Sequence, residues 1–155
     1  MRASTLIVSE ASPLIALDQI QCLQVLPALF STVMIPPAVL QEIPAKISGQ
    51  NWLTVRAPSG IPAVLSGFKL DPGECEALAL AAETEAELLI DERLGRMACP
   101  LVSVKFVGTA GLLVGAKEEG LIPAVAPLLR ALRDDHRFWL SDTVYQMALR
   151  EAGEA

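Results

Sequence analysis

The chain has 155 residues, of which 52% are hydrophobic, 19% charged and 5% aromatic, and its formal net charge at pH 7 is -6. This length allows one well-filled core, so we expect a single domain over residues 1–155. The composition excludes a disordered chain, and the net charge excludes a basic nucleic-acid coat protein. The three cysteines lack CxxC spacing or a His partner, which argues against disulfides and a zinc site. Because no apolar run approaches the roughly 18 uncharged residues of a membrane span, we expect a soluble, cytoplasmic protein.

Short aliphatic and β-branched runs recur along the chain and are too short for helices. They predict strands at residues 5–9, 32–35, 52–55, 87–90 and 103–107. Most of these runs are apolar on both faces, which is typical of buried parallel strands.

Helix signals lie between the predicted strands. A proline or a capping residue opens a first helical turn at Ser12-Pro13, at Pro36-Pro37 and at Asp71-Pro72-Gly73-Glu74. Later helices are predicted at residues 109–119, 124–133 and 141–151, and the Pro-, Gly- and Ser-rich residues 44–70 predict a short strand and a mobile loop. The alternation predicts an α/β fold, a three-layer α/β/α sandwich around a mostly parallel central sheet. Such sheets bind ligands at the carboxyl ends of their strands.

Two acidic residues follow predicted strands directly. Glu10 comes after the first strand and Asp91 after the fourth, so both should lie at the ligand-binding edge of the sheet. Each has a structural alternative as a first-turn acid, which the helix dipole favours by about 0.3 to 1 kcal/mol. The sequence leaves both interpretations open.

Glu74 lies on the helix that begins near Gly73. At about 100° per residue it falls in the middle of the apolar face, between Ala77 and Leu78. The alternative is a capping box, in which Asp71 is the N-cap and Glu74 reaches back to a backbone amide. The capping box does not by itself require the acid to face inward.

Glu42 is predicted on the helix opened by Pro37. Relative to Val39 it lies at about 300°, so it flanks the buried stripe of that helix. The alternative is a helix-edge acid whose stem packs on the core while its carboxylate reaches water.

The four acids Glu10, Glu42, Glu74 and Asp91 come from separate segments and point towards one region. Burying unpaired carboxylates together is costly, because desolvation and like charges both disfavour ionisation. A hard divalent cation removes that cost, and oxygen-only ligands favour Mg²⁺ or Mn²⁺. Metal-assisted hydrolysis of a phosphodiester is the chemistry that this set best supports.

The segments that carry these acids resemble the successive motifs of PIN domains. They are IVSEASPLI at residues 7–15, IPPAVLQEI at 35–43, LDPGECEALALA at 70–81 and LLIDERLGR at 88–96, followed by a further similar segment at 108–122. The similarity spans nearly the whole chain in order and is closest to a prokaryotic branch related to VapC-type toxin ribonucleases.

The resemblance implies a Mg²⁺- or Mn²⁺-dependent endoribonuclease. It places the catalytic carboxylates at Glu10, Glu42, Glu74 and Asp91, with the metal on Glu10, Glu74 and Asp91 and with Glu42 as a direct or water-mediated ligand. The first acid of the family is usually an aspartate, whereas this chain has Glu10. The extra methylene moves the carboxylate by roughly 1.5 Å, and Mg²⁺ demands near-ideal geometry. A PIN-like nucleic-acid-binding or regulatory protein with impaired catalysis is therefore the alternative.

Polar residues near Asp91 are candidates for substrate binding. Arg93 and Arg96 are placed to hold flanking phosphates, although Glu92 and Arg96 also have the spacing of a surface ion pair. Thr109 is placed to orient a water or a phosphate, and its alternative is a helix N-cap.

The expected partner is RNA. A single-stranded substrate is favoured because it needs only a local groove on an acidic protein. The resemblance also implies a small antitoxin protein that blocks the acidic site. The apolar C-terminal helices would support either that partner or a homodimer, and core packing explains them equally well.

Overall fold

The computed structural model describes residues 5–155. In this part of the chain, five parallel strands form one sheet in the order β3-β2-β1-β4-β5. The strands are β1 (Leu6–Ser9), β2 (Thr32–Ile35), β3 (Leu53–Val55), β4 (Glu87–Leu89) and β5 (Phe106–Val107). All five predicted strands are present, and each observed strand lies within its predicted range.

The helices cover both faces of the sheet. They are α1 (Ala11–Gln19), α2 (Val25–Leu29), α3 (Pro37–Leu40), α4 (Ala45–Ser48), α5 (Pro72–Thr84), α6 (Arg93–Ala98), α7 (Thr109–Glu118), α8 (Ala126–Asp134) and α9 (Asp142–Glu151). Two 3₁₀ turns span Ala63–Gly67 and Cys99–Val102. No helix within residues 5–155 is long and apolar enough to cross a membrane.

Alternate strand residues pack into two separate cores. Ile7 and Leu89 contact a core that includes residues of α1, α2, α7, α8 and α9. Val8 and Leu88 contact a second core, formed mainly with α5 and the two 3₁₀ turns. Because neighbouring strand residues point to opposite faces, this division confirms the predicted three-layer sandwich.

The strand order brings β1 and β4 side by side in the middle of the sheet. Their register pairs Ser9 with Leu89, and the backbone N–H of Glu10 donates a hydrogen bond to the Leu89 carbonyl over 3.1 Å. The chain moves outward from β1 to β2 and β3 and then returns to β4, so this is a topological switch point. Ligands of open α/β sheets bind at such points, beyond the carboxyl ends of the strands.

The helix predicted to carry Glu42 is shorter than expected. It ends at Leu40, and Glu42 lies in the following turn, where its N–H donates to the Val39 carbonyl over 2.9 Å. Pro44 disfavours helical backbone at the residue before it, which is consistent with the early end. The helical angle assigned to Glu42 was therefore wrong.

The fifth strand is also shorter than predicted. Ser103 adopts a positive φ of 55° and ends the second 3₁₀ turn. Extended pairing with β4 begins only at Phe106, opposite Leu88. Residues 44–70, predicted as the least regular segment, contain α4, β3 and the first 3₁₀ turn.

Candidate active site

Glu10 is the residue that joins β1 to α1. It is the N-cap of α1, with φ -76° and ψ 171°, but its side chain does not cap the helix. The residue is only 7% exposed, and no residue in the range 5–155 donates a hydrogen bond to its carboxylate. Glu10 therefore stands at the helix start, as its structural alternative expected, but no capping hydrogen bond compensates the burial of its carboxylate.

Burial and neighbouring acids raise the pKa of Glu10 to about 8. Burial is the largest cause, followed by the charges of Glu74, Asp71, Glu42 and Glu92. We call these five residues the acidic cluster. Sequence reasoning identified three of its members and missed the contribution of Asp71 and Glu92 to its charge.

Glu74 combines the two roles that the sequence left open. Its backbone N–H donates to Oδ1 of Asp71 over 2.7 Å, and its own Oε1 accepts from the Asp71 N–H over 2.9 Å, which completes a capping box. The residue is also only 6% exposed. Burial is the main cause that raises its pKa to about 7; the Asp71 N–H lowers the pKa, and a side-chain hydrogen bond with Glu92 raises it. The capping box thus holds an inward-facing acid.

Glu42 approaches the cluster from the turn after α3. The residue as a whole is exposed, but its carboxylate lies against the first turn of α5, where a Cβ added at Gly73 would stand 2.5 Å from Oε2. Partial desolvation, and then the charge of Asp71, raise the pKa of Glu42. A glycine at position 73 leaves the space that this carboxylate occupies.

Glu92 belongs to the acidic cluster and not to a surface ion pair. Its Oε2 accepts a hydrogen bond from the Gly95 N–H over 2.9 Å, which caps α6, and its carboxylate lies close enough to that of Glu74 to share a proton and raise the pKa of Glu74. Arg96, its expected partner, pairs with Asp91 instead. Glutamate is not among the preferred N-cap residues, so local sequence carried no signal for this role.

Asp91 is held at the start of α7 by Thr109. Its Oδ1 accepts from the Thr109 N–H over 2.9 Å, and its Oδ2 accepts from the Thr109 hydroxyl over 2.6 Å. Arg96 lies 3.6 Å from Oδ1. Burial raises the pKa of Asp91, whereas the Thr109 hydrogen bonds and Arg96 lower it. Asp91 is not among the acids that raise the pKa of Glu10.

Thr109 is fully buried and is the first residue of α7, whereas Gly108 is the N-cap. The hydroxyl and the backbone N–H of Thr109 are both directed to Asp91. The structure therefore places Thr109 as a residue that positions Asp91, rather than as the capping residue considered from sequence.

The two candidate arginines have different surroundings. The Nε of Arg96 donates to the Ile90 carbonyl over 3.0 Å, and its guanidinium carbon lies 5.1 Å from the centre of the Phe106 ring. Arg93 is exposed at the start of α6, and we find no hydrogen bond or ion pair for it within residues 5–155. Arg93 thus has no partner among the described residues, whereas Arg96 is already held in place.

The fold and this site define a class of protein: a three-layer α/β domain with buried carboxylates at the switch point of a parallel sheet. A family model described as a PIN domain, DUF3368, matches residues 6–154. The chain belongs to the PIN-domain family, generally a metal-dependent nuclease fold. The predicted resemblance to PIN domains is thereby confirmed.

A solved structure shows the same fold. It is a PilT N-terminus domain protein, SSO1118, from the hyperthermophilic archaeon Sulfolobus solfataricus P2, with a TM-score of 0.54 and 19% sequence identity. The alignment covers 74% of this chain and 95% of the other. No curated protein sequence matches this chain significantly.

PIN domains typically use divalent metals, and the acidic cluster matches that use in ligand type and charge. Its donors are oxygen atoms only, which suits Mg²⁺ or Mn²⁺. Within residues 5–155, however, no three Asp, Glu, His or Cys side chains form a ready ligand group for one ion. Mg²⁺ is commonly held by one or two carboxylates, with waters and substrate phosphates as the other ligands. The inward-facing Glu10 and Glu74 are a suitable pair, whereas the predicted third ligand, Asp91, is held by Thr109.

Proposed function

We propose that this protein is a Mg²⁺- or Mn²⁺-dependent endoribonuclease that hydrolyses phosphodiesters of single-stranded RNA. The observation that carries the proposal is the Glu10 carboxylate. It is almost fully buried, receives no hydrogen bond from residues 5–155 and is surrounded by other acids. Such an arrangement is unfavourable for folding unless a cation or a proton compensates it, and strongly perturbed acids are typical of functional sites.

Glu10 and Glu74 would hold the cation, with Glu92 beside them. When bound, a divalent cation supplies charge stabilisation to the phosphate and lowers the pKa of a bound water. Glu74 has a pKa of about 7 and a side-chain hydrogen bond with Glu92. Without a cation Glu74 is therefore partly protonated near neutral pH, and a divalent cation would bind its ionised carboxylate in competition with that proton. The capping box fixes its Oε1 on the Asp71 N–H, which leaves Oε2 to bind the cation.

RNA binding must rely on local contacts, because the chain is acidic overall. Arg93 is exposed and follows Glu92 directly, so it is the candidate for a phosphate next to the cleaved bond. A bound cation would further offset the negative charge of the acidic cluster. A single strand suits this arrangement because it needs only a local groove.

The test is cleavage of mixed single-stranded RNAs in Mn²⁺ or Mg²⁺ by the wild-type protein and by Glu74→Gln. Losing a metal ligand should slow cleavage by roughly 100-fold, the upper end of what loss of a residue that supports a metal ligand costs. Glu119→Gln is the matched control, since Glu119 is exposed beyond α7. Cleavage that survives Glu74→Gln would mean a contaminant or another site.

A PIN-like binding or regulatory protein without catalysis is the second candidate. It is favoured by the absence of three converging ligands in residues 5–155 and by the longer side chain of Glu10. Inactivity, together with no metal binding by calorimetry, would support this candidate. Activity gained by Glu10→Asp would instead identify a displaced ligand as the cause.

We also propose that a small antitoxin protein and a second copy of this chain are partners. An acidic cluster without a bound cation is complementary to a basic side chain, such as an arginine inserted by an antitoxin. Sedimentation of the purified protein tests the homodimer. An antitoxin would be tested by its inhibition of RNA cleavage, with inhibition expected to weaken as Mn²⁺ is raised.

A further inference from the structure

A cavity of about 190 Å³ opens beside Asp91, between the β5–α7 connection and α9. It lies on the side of Asp91 that faces α7 and α9. The lining residues that matter here are Asp91, Arg96, Phe106, Gly108, Val144 and Met147.

Flat groups form one part of the lining. Phe106 is on the edge strand β5 and is 41% exposed, and the Arg96 guanidinium lies over its ring. The hydrogen bond from Arg96 to the Ile90 carbonyl holds the guanidinium in this position. Aromatic rings and guanidinium groups are the surfaces on which unstacked nucleobases pack.

Apolar side chains of α9 form another part of the cavity lining. Val144 is partly buried, and Met147 is 47% exposed although it belongs to a helix that packs on α7. An adaptable thioether beside an aromatic ring suits a flat, apolar ligand face.

Gly108 allows this arrangement. A Cβ at position 108 would collide with the Arg96 guanidinium and would stand 2.8 Å from Oδ1 of Asp91. Any larger residue would therefore require the Arg96 guanidinium to shift.

The cavity is joined to the acidic cluster by two consecutive residues. Asp91 lines the cavity, and Glu92 lies beside Glu74 in the acidic cluster. A nucleotide with its base in the cavity would have its phosphate near the boundary between them.

We propose that this cavity is a nucleobase subsite, in which Phe106 and Arg96 stack with a base next to the scissile phosphate and Met147 contacts the same base. The proposal rests on the proposed RNA-cleaving function for its ligand class. Stacking of a base would add affinity for RNA beyond that of phosphate contacts, which are few on an acidic chain.

The test measures binding separately from cleavage. Short fluorescent single-stranded RNAs would be titrated in Ca²⁺, with anisotropy as the readout, against the wild-type protein, Phe106→Leu and Phe106→Tyr. Leucine keeps an apolar side chain but removes the ring, so we expect affinity to fall roughly tenfold, within the range that one stacked base contributes. Tyrosine keeps the ring and should bind within about twofold of wild type. Trp139→Ala is the control, since Trp139 is 82% exposed and does not line the cavity.

An RNA with abasic positions tests whether the base is the group that binds in the cavity, because it keeps the sugar and phosphate but lacks the base. The wild-type protein and Phe106→Leu should bind it equally weakly. The subsite would be overturned if the wild type bound no RNA. It would also be overturned if wild type and Phe106→Leu bound normal RNA equally, and that result would favour a protein side chain as the occupant of the cavity. If the wild type cleaves RNA in Mn²⁺ but Phe106→Leu binds RNA as well as the wild type does, the proposed function stands and the subsite does not. If Phe106→Leu weakens RNA binding as expected but the wild type does not cleave RNA, the subsite stands and the proposed nuclease activity is wrong.

Discussion

At the scale of single residues, Glu10 is the most strongly perturbed member of the acidic cluster. Its pKa of about 8 compares with an ordinary value of 4.5, and burial is the main cause. The folded chain therefore keeps the proton of Glu10 to a higher pH than the unfolded chain does. The contribution of Glu10 to the free energy of unfolding should then fall as pH rises from about 5 to about 8 and level off above that range.

The variant Glu10→Gln should lack the contribution of Glu10 to the pH dependence of the free energy of unfolding. Near pH 5, where Glu10 is protonated in the folded chain, the variant and the wild type should be similarly stable. Near pH 9 the variant should be more stable by a few kcal/mol, because each unit of pKa shift corresponds to about 1.4 kcal/mol. Urea denaturation without divalent cations measures the difference. Glu119→Gln should match wild type at both pH values; an unchanged pH dependence in Glu10→Gln would contradict the assignment.

At the scale of elements, Asp91 and Thr109 link the segment after β4 to the start of α7. Asp91 follows β4 and receives both the N–H and the hydroxyl of Thr109, the first residue of α7. The helix dipole favours a carboxylate at this end of α7. The pair thus joins an element of the sheet to a helix of the larger core.

Thr109→Val should destabilise the protein by roughly 1.5 to 3 kcal/mol, the usual contribution of a hydrogen bond to a charged group. Valine has nearly the same shape as threonine, so the loss would not come from a cavity. Thr109→Ser keeps the hydroxyl and should recover most of the stability, apart from the missing methyl group. Urea denaturation near pH 7 distinguishes the two variants. Equal stability of Thr109→Val and wild type would show that the backbone N–H alone holds Asp91.

The capping box shows how one element can serve both stability and chemistry. Asp71 and Glu74 satisfy each other's backbone N–H groups at the start of α5, and the same geometry turns the Glu74 carboxylate inward. A substitution at Glu74 therefore affects the helix and the acidic cluster together. For this reason activity assays of Glu74→Gln require a parallel measurement of stability.

At the scale of the whole molecule, the acidic cluster links ion binding to folding. A cation that binds only the folded chain stabilises it by mass action. The wild-type protein should show a Tm that rises with Mg²⁺ or Mn²⁺, by roughly 5 to 10 °C at about 100 times the Kd. The double variant Glu10→Gln/Glu74→Gln should show no such rise. NaCl at matched ionic strength is the control, and an equal rise in NaCl would indicate screening of the net charge in place of a site.

The layered fold could be predicted because its signals are local. Apolar runs such as Ile7-Val8 and Leu88-Leu89 indicated strands buried on both faces, and each pair of neighbours divides between the two cores. The proline and capping signals at Pro72 correctly indicated the start of α5. The end of α3 was missed because the sequence-based helical pattern continued through Glu42, whereas the chain turns after Leu40.

The sequence by itself determined the strand ends, the acids that follow them and the inward face of Glu74, because these depend on periodicity and capping over a few residues. Tertiary structure decided which acids meet. Packing of α6 against α5 brings Glu92 to Glu74, and the β5–α7 connection brings Thr109 to Asp91 across 18 positions. Tertiary structure also decided the surroundings of Glu10. The pKa of this carboxylate depends on burial and on charges from several chain segments, and only the folded chain brings those segments together.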